Sequence, residues 1–268
     1  MTFQYLEIEA ADGVVTVWMN RPPVNAVDGT MYDELRQAFT SVDELADDVR
    51  VVILAGRGKH FCGGNDLDEF ASMDPTNADE RMWHVRAAFF AIQDCPVPVI
   101  GAVQGTAVGT GLALAASCDY VIAADNARIG LPEITVGVMG GARHLARWVS
   151  TPTVRRAFFT GIPLPAAELH RIGAIHAVVP LDDLREAVLA EAALIACFSP
   201  TAMRVAKRGL NAIEHVDVKG GYTYEQRLTA QMSGHPDSKE ALAARREGRD
   251  ARYERRADLL PPPPPTPG

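Results

Sequence analysis

The chain has 268 residues, 47% of them hydrophobic and 22% charged, with a formal net charge of −8 from 26 basic and 34 acidic residues. That length and apolar content suffice for one large core without staples. The acidic balance argues against a nucleic-acid partner, whose binder would carry a basic surplus.

Only residues 245–252 and 255–256 are locally basic, which reads as a solvated helix face. The cysteines, at 62, 95, 118 and 197, share no metal-ligating or redox spacing, so no metal site is expected and a reducing, cytoplasmic setting fits. Residues 1–9 alternate and carry acids, unlike a signal peptide. The apolar stretch 97–116 is broken by Gln104 and several glycines, so it reads as strand, loop and buried helix, and no membrane span is expected.

In chain order, residues 6–10 and 14–19 flank Asp12-Gly13 and predict a β-hairpin. Asn20-Arg21-Pro22-Pro23-Val24-Asn25 breaks the pattern. Asp28 then caps a helix whose apolar positions are Met31, Leu35, Ala38, Phe39, Val42 and Leu45. Residues 51–55 form a buried strand, 56–64 a glycine-rich loop, 65–71 a helix start and 77–94 a longer helix. A second buried strand spans 97–103, a small-residue helix 110–118 and a third strand 120–124.

Beyond Gly141 the pattern is mostly helical: 152–160, 165–171, 181–198, 200–213, 221–232 and the charged 239–259, with a strand at 177–179. Strands alternating with helices, then a helical C-terminal third, predict an α/β core over 1–199 and a helical subdomain over 200–260. The proline-rich 261–268 can join neither helix nor sheet and is expected to be a disordered, extended tail.

Two loops share one physical character. Phe61-Cys62-Gly63-Gly64-Asn65-Asp66 follows the strand at 51–55, and 105–111 follows the strand at 97–103. Each leads into a helix, where free backbone N–H groups and the helix dipole give positive potential. Brought together, they could bind one developing oxyanion; tight turns of an α/β sheet are the plainer reading. A phosphate cradle is disfavoured, because neither a GKS/T nor a clean GxGxxG with a ribose-binding acid is present. Glu133 is the carboxylate of the next glycine-rich stretch, 128–141.

The loops and Pro132-Glu133 together resemble the enoyl-CoA hydratase/isomerase, or crotonase, superfamily over about residues 3–256. Asn20 to Ala26 resembles its NRPxxNA loop. Phe61 to Leu67 resembles FCAGADL, and Ala102 to Asp119 resembles AVNGxAxGGGxxLAxxCD. Ile129 to Gly141 resembles FGxPExxxGxxPGxGG, and Gly248 to Arg256 the terminal GxxAFxEKR.

The resemblance implies a crotonase-like ββα spiral core and a helical C-terminal trimerisation subdomain, in a homotrimer or a homohexamer of two trimers. It implies an acyl-CoA thioester as partner, with coenzyme A as part of the substrate and no permanently bound cofactor. The oxyanion-hole N–H groups would belong to Asn65 and Thr110, where the family prefers alanine and glycine. The family's first glutamate falls on Ala113 and its second on Glu133.

With one carboxylate as acid and base, the resemblance favours enoyl-CoA double-bond isomerisation. Hydratase or hydratase-lyase activity is the alternative, and a non-catalytic acyl-CoA-binding scaffold is the reading from another class. Val24, Ala26, Gly63, Leu67 and Arg255 match positions along the CoA path, while Pro23 replaces a frequent basic residue. Arg57 and Lys59 are alternative phosphate partners or surface charges. His60 and His144 read first as locally bonded histidines and Cys62 as packing. Asp66 and Asp68 read as helix caps that could stand in for the missing acid. Trp83, Phe89 and Phe90 are core or acyl-pocket aromatics.

Overall fold

The structure, a computed structural model, describes residues 1–254 and 257–263. The hairpin forms as the sequence predicts: β1 (Leu6–Ala11) pairs antiparallel with β2 (Val14–Met19), Leu6 opposite Met19 and Ala11 opposite Val14. Asp12 and Gly13 make the turn with φ of 51° and 79°, the left-handed pair that a two-residue hairpin loop requires. Helix α1 (Gly29–Thr40) starts at Asp28, whose carboxylate accepts the Met31 N–H at 2.9 Å.

There follow β3 (Val51–Gly56), the short α2 (Leu67–Ala71), α3 (Ala78–Gln93), β4 (Val99–Val103), β5 (Thr106–Val108), α4 (Thr110–Ser117), β6 (Tyr120–Ala124) and β7 (Arg128–Gly130). A 3-10 turn at Pro132–Val136 leads to α5 (Ala142–Leu145), α6 (Thr151–Thr160), β8 (Leu164–Pro165), α7 (Ala166–Arg171) and β9 (Ala177–Val179). The chain ends in α8 (Leu184–Ala196), α9 (Pro200–Ile213), α10 (Val218–Ser233) and α11 (Pro236–Glu247).

Six strands make the main sheet in the order β1-β2-β3-β4-β6-β9, parallel from β2 onward. A parallel sheet must be covered on both faces, which is why β3 reads as an unbroken apolar run. Val52 and Leu54 join the core beneath α1, α3 and α4. Val51, Ile53 and Ala55 turn the other way, against Leu184, Val188, Ala192 and Ala196 of α8. Under the pattern of alternating β-carbons, the parallel strands β2, β3, β4, β6 and β9 each serve both cores.

The structure departs from the sequence reading in several places. Helix α1 ends at Thr40, so Val42 and Leu45 of the expected stripe lie beyond it, in and after a separate 3-10 turn at Val42–Glu44. The loop at 105–111 contains a strand, β5, which joins β7 and β8 in a second, three-stranded sheet. The charged helix expected over 239–259 stops at Glu247, because Gly248 adopts φ 67° and caps it in the left-handed region. The tail is anchored at its start: Arg208 donates to the Leu260 and Pro261 carbonyls, and Gln231 donates to Pro261 at 2.9 Å. Residues 264–268 of the expected tail lie outside the described residues. Among the described residues, no single helix is long and apolar enough to cross a membrane.

Candidate active site

The small sheet assembles the site. Ala107 of β5 pairs in parallel with Cys62 on one side and with Ile129 of β7 on the other. Backbone bonds lock the first two segments: Phe61 N–H to Gln104 O at 2.9 Å, Cys62 N–H to Thr106 O at 3.0 Å and Val108 N–H to Cys62 O at 3.2 Å. Segments that run parallel and in register end at one edge. The same step along each from the Ala107 level reaches Asn65, Thr110 and Pro132, with Glu133 next in line.

Thr110 opens α4, so its N–H lies in a first turn without an intrahelical acceptor. Among the described residues, neither this N–H nor that of Asn65 has a hydrogen-bond partner. Two free backbone donors thus sit on adjacent, registered segments, one of them at a helix start.

A residue that sequence reasoning missed ties them together. The Tyr32 hydroxyl, projecting from α1, donates to Asn65 Oδ1 at 2.7 Å and lies 2.7 Å from Thr110 Oγ1. Because Tyr32 has one proton and spends it on Asn65, the Thr110 hydroxyl donates to it. Tyr32 is fully buried, and burial pushes its phenol well above the usual tyrosine range, so it remains a neutral donor. The only signal in the sequence was its position within the helical apolar stripe, which reads as core.

Glu133 occupies the 3-10 turn. Its Oε1 would lie 3.4 Å from a β-carbon built on Gly109 and 3.4 Å from one on Gly141, and both glycines have positive φ, 56° and 67°. Glycine is needed here for the backbone conformation, and at Gly141 a β-carbon would also collide with the Leu131 side chain, while beside the carboxylate it would make only ordinary contact. Gly109 directly precedes Thr110, so the carboxylate neighbours a candidate oxyanion donor. Glu133 Oε2 is buried without a hydrogen-bond partner among the described residues. Burial therefore raises the Glu133 pKa above the usual carboxylate range, against a smaller lowering from its own backbone N–H.

The residues expected along a CoA path cluster in part. The Gly63 N–H donates to Val24 O and the Val27 N–H to Gly64 O, each at 2.8 Å, which lays the 20–27 loop against the 61–65 segment. Val24 and Ala26 line an open cavity of about 570 Å³ with Tyr5, Arg21 and Asp66. Leu67 is 66% exposed at the start of α2. Arg255 lies outside the described residues.

Asn25 holds this loop in place. With φ 53°, it donates from Nδ2 to the carbonyls of Arg57 and His60 at 3.0 and 2.9 Å, and accepts the Arg21 N–H at 2.9 Å.

Ala113 is 2% exposed and packed into the main core. Asp66 caps α2, accepting the Glu69 N–H at 3.0 Å and the Arg21 guanidinium at 2.7 Å, contacts that hold its carboxyl below the usual range. It is thereby a structural anion and no replacement acid; Asp68 is exposed. His60 accepts the Thr106 N–H at 3.2 Å, a local role.

His144 packs edge-on to Phe89, ring centres 5.0 Å apart, and Phe89 packs likewise against Tyr32 at 6.1 Å. Burial lowers the His144 pKa. Trp83 and Phe90 are exposed. Arg57 is taken up by Glu7 and Glu9 over the Trp18 ring. Burial pushes the Cys62 thiol up to about 12, as suits a packing residue.

Comparison with known proteins is consistent across three lines. A family model described as enoyl-CoA hydratase/isomerase matches residues 9–256. The chain is 37% identical to a (7aS)-7a-methyl-1,5-dioxo-2,3,5,6,7,7a-hexahydro-1H-indene-carboxyl-CoA hydrolase of Rhodococcus jostii, over 83% of this chain and 86% of that one. It is 34% identical to a probable enoyl-CoA hydratase of Mycobacterium bovis, over 96% of this chain and 100% of that one. The crystal structure of an enoyl-CoA hydratase from Bacillus anthracis superposes with a TM-score of 0.89 at 31% identity, covering 94% of this chain and 100% of that one.

Proposed function

The chain belongs to the enoyl-CoA hydratase/isomerase family, with its crotonase-type α/β fold, and from that premise we propose that it isomerises the double bond of an enoyl-CoA with Glu133 as its single acid and base. Enzymes of this family act on acyl-CoA thioesters. In the proposed reaction the Asn65 and Thr110 N–H groups hold the thioester oxygen. Glu133 removes a proton from one carbon, the electron pair delocalises into an enolate, and the same carboxyl returns the proton at another carbon.

The observation that carries this reading is the largely desolvated Glu133 carboxylate, its Oε2 without a hydrogen-bond partner among the described residues, beside the helix start at Thr110. A carboxyl with a raised pKa is a stronger base when ionised and a competent acid when protonated, which a shuttle needs. Hydration calls for a second group to manage water. The position expected to supply one is Ala113, closed inside the core.

A second reading, hydrolysis through the same enolate-stabilising hole, is favoured by the similarity to the Rhodococcus hydrolase. Incubation with a 3-enoyl-CoA and with a 2-enoyl-CoA, followed by mass spectrometry, separates the outcomes. Isomerisation of the first supports the proposal; water addition to the second, or turnover of neither, sinks it. We also propose a homotrimer or a pair of trimers, supported by the exposed apolar side chains of Leu194, Leu210 and Tyr222 on α8, α9 and α10 and of Phe198 between α8 and α9. Light scattering on the purified protein would measure it.

A further inference from the structure

The side chains of the two candidate oxyanion donors form a hydrogen-bond chain that their backbone roles leave unused. The Tyr32 hydroxyl lies 2.7 Å from Asn65 Oδ1 and 2.7 Å from Thr110 Oγ1. Thr110 is buried, so its hydroxyl proton has no water to turn to and goes to the Tyr32 oxygen. Tyr32, also buried, must then place its own proton on Asn65, and only the carbonyl end of a carboxamide accepts one. The direction of the chain is thereby fixed, from Thr110 through Tyr32 to Asn65 Oδ1.

Such a chain has one open end. Asn65 is half-buried, and its Nδ2 remains accessible while having no hydrogen-bond partner among the described residues. Each bond in a chain polarises the next, so the Thr110 and Tyr32 bonds together strengthen the two N–H groups at its end.

Covalent geometry keeps that end near the hole. Nδ2 of an asparagine is four bonds from its own backbone nitrogen and stays within about 5 Å of it in every rotamer. The Asn65 and Thr110 side chains converge on one phenol oxygen, so the carboxamide lies alongside the gap between the two backbone donors. The base stands across that gap. A β-carbon built on Gly109 would lie 3.9 Å from the Cα of Gly64, the residue before Asn65, and 3.4 Å from Glu133 Oε1.

We propose that Asn65 Nδ2 is a third donor to the thioester oxygen, beside the backbone N–H groups of Asn65 and Thr110. The Asn65 side chain is then a catalytic residue. It bonds the oxygen on which the electron pair settles when Glu133 removes a proton, and the bond strengthens as that charge grows. The inference rests on the thioester being held at Asn65 and Thr110.

Isotope-edited infrared spectroscopy of bound hexanoyl-CoA, labelled with carbon-13 at its thioester carbonyl, reads the donors directly. A hydrogen bond to a carbonyl lowers its stretching frequency, and this saturated thioester carries no double bond to isomerise. In the wild-type protein the band should fall below that of the free thioester. Asn65→Asp keeps an acceptor for Tyr32, and so keeps the brace, but removes the N–H donors. Asn65→Ala removes the carboxamide altogether. Both variants retain the backbone donors and should bind the thioester, with the band returned part of the way to its free position. On a 3-enoyl-CoA both should lose about 10²-fold in kcat with little change in KM, the scale of one oxyanion donor.

A band that falls in the wild type and stays there in both variants, or an unchanged kcat in both, would overturn the third donor while leaving the thioester site in place. A return in Asn65→Asp alone would mark the field of the new charge, and a return in Asn65→Ala alone the loss of the brace; either would overturn it too. A band that does not fall in the wild type would remove the thioester reading and this inference with it.

Discussion

Tyr32→Phe isolates the structural claim on which the site depends. The substitution removes one oxygen from a buried position and leaves the ring, which packs edge-on against Phe89, in place. Two hydrogen bonds of 2.7 Å disappear together. Thr110 is buried, so its hydroxyl loses its acceptor without water to replace it; Asn65 is only partly buried and recovers some solvation. An unmet buried polar group costs about 1–3 kcal/mol, which puts the two losses near 2–4 kcal/mol in all. At about 2–3 °C per kcal/mol for a chain of this size, melting should fall by roughly 4–12 °C.

The kinetic signature is separate. The Asn65 and Thr110 N–H groups remain but lose the brace that fixes their mutual spacing. Removing an oxyanion donor outright costs about 10²–10³-fold, so loosening two should cost about tenfold in kcat with little change in KM. Thr110→Ser, which retains the hydroxyl, should behave as wild type, and Tyr32→Phe with Thr110→Val should be less than additive. Differential scanning calorimetry and steady-state kinetics on a 3-enoyl-CoA read both effects. A Tyr32→Phe variant with unchanged melting and unchanged kcat would refute the brace.

Other consequences are as direct. Glu133→Gln should lower kcat by at least about 10²-fold, the scale of a lost general acid–base group, while the protein stays folded. The same variant has a pH signature. Because the folded-state pKa of Glu133 is raised, the native state binds the extra proton between the ordinary glutamate value and that raised value, and stability falls as pH climbs through this window. Glu133→Gln should therefore melt higher than wild type above the window and lose that advantage below about pH 4, where both carboxyl forms are protonated; melts across pH would show parallel curves if the carboxyl were solvated.

Ala113→Glu should cost at least about 3 kcal/mol by forcing a carboxyl into a filled core, and a soluble variant that gained hydration of a 2-enoyl-CoA would contradict the packing described. Lys207, 4% exposed, pairs with Asp119 at 2.6 Å, and Asp119 also accepts the Val99 N–H at 2.7 Å. Asp119→Asn strands a buried ammonium and should cost about 3 kcal/mol, more than Lys207→Met; denaturant titration gives the order, and the reverse order would show Lys207 to be solvated.

Local chemistry was legible without coordinates. Alternation and Asp12-Gly13 specified the hairpin, Asp28 started α1, and the apolar runs at 51–55 and 97–103 marked buried parallel strands. The glycine spacing and Glu133 marked the candidate site. The signals are short-range: period, cap and turn each act within a few residues.

What the linear pattern misses has the opposite character. β5 is only three residues long and is defined by its neighbours, not by its own propensity. Tyr32 occupies an ordinary helix position, and nothing near it in the chain distinguishes a brace from core. The helix expected past Glu247 shows the limit from the other side, since one glycine in a left-handed conformation ended a charged pattern that could have continued.

The sequence by itself determined the hairpin, the strands at 51–55 and 97–103 and most helices, the two glycine turns and the lone carboxylate of 128–141. Only the tertiary structure brings these to one edge, because their common level is set by Ala107 pairing with Cys62 and Ile129 at once. Register between strands is a property of hydrogen bonds made across long loops, and no period within one segment can encode it.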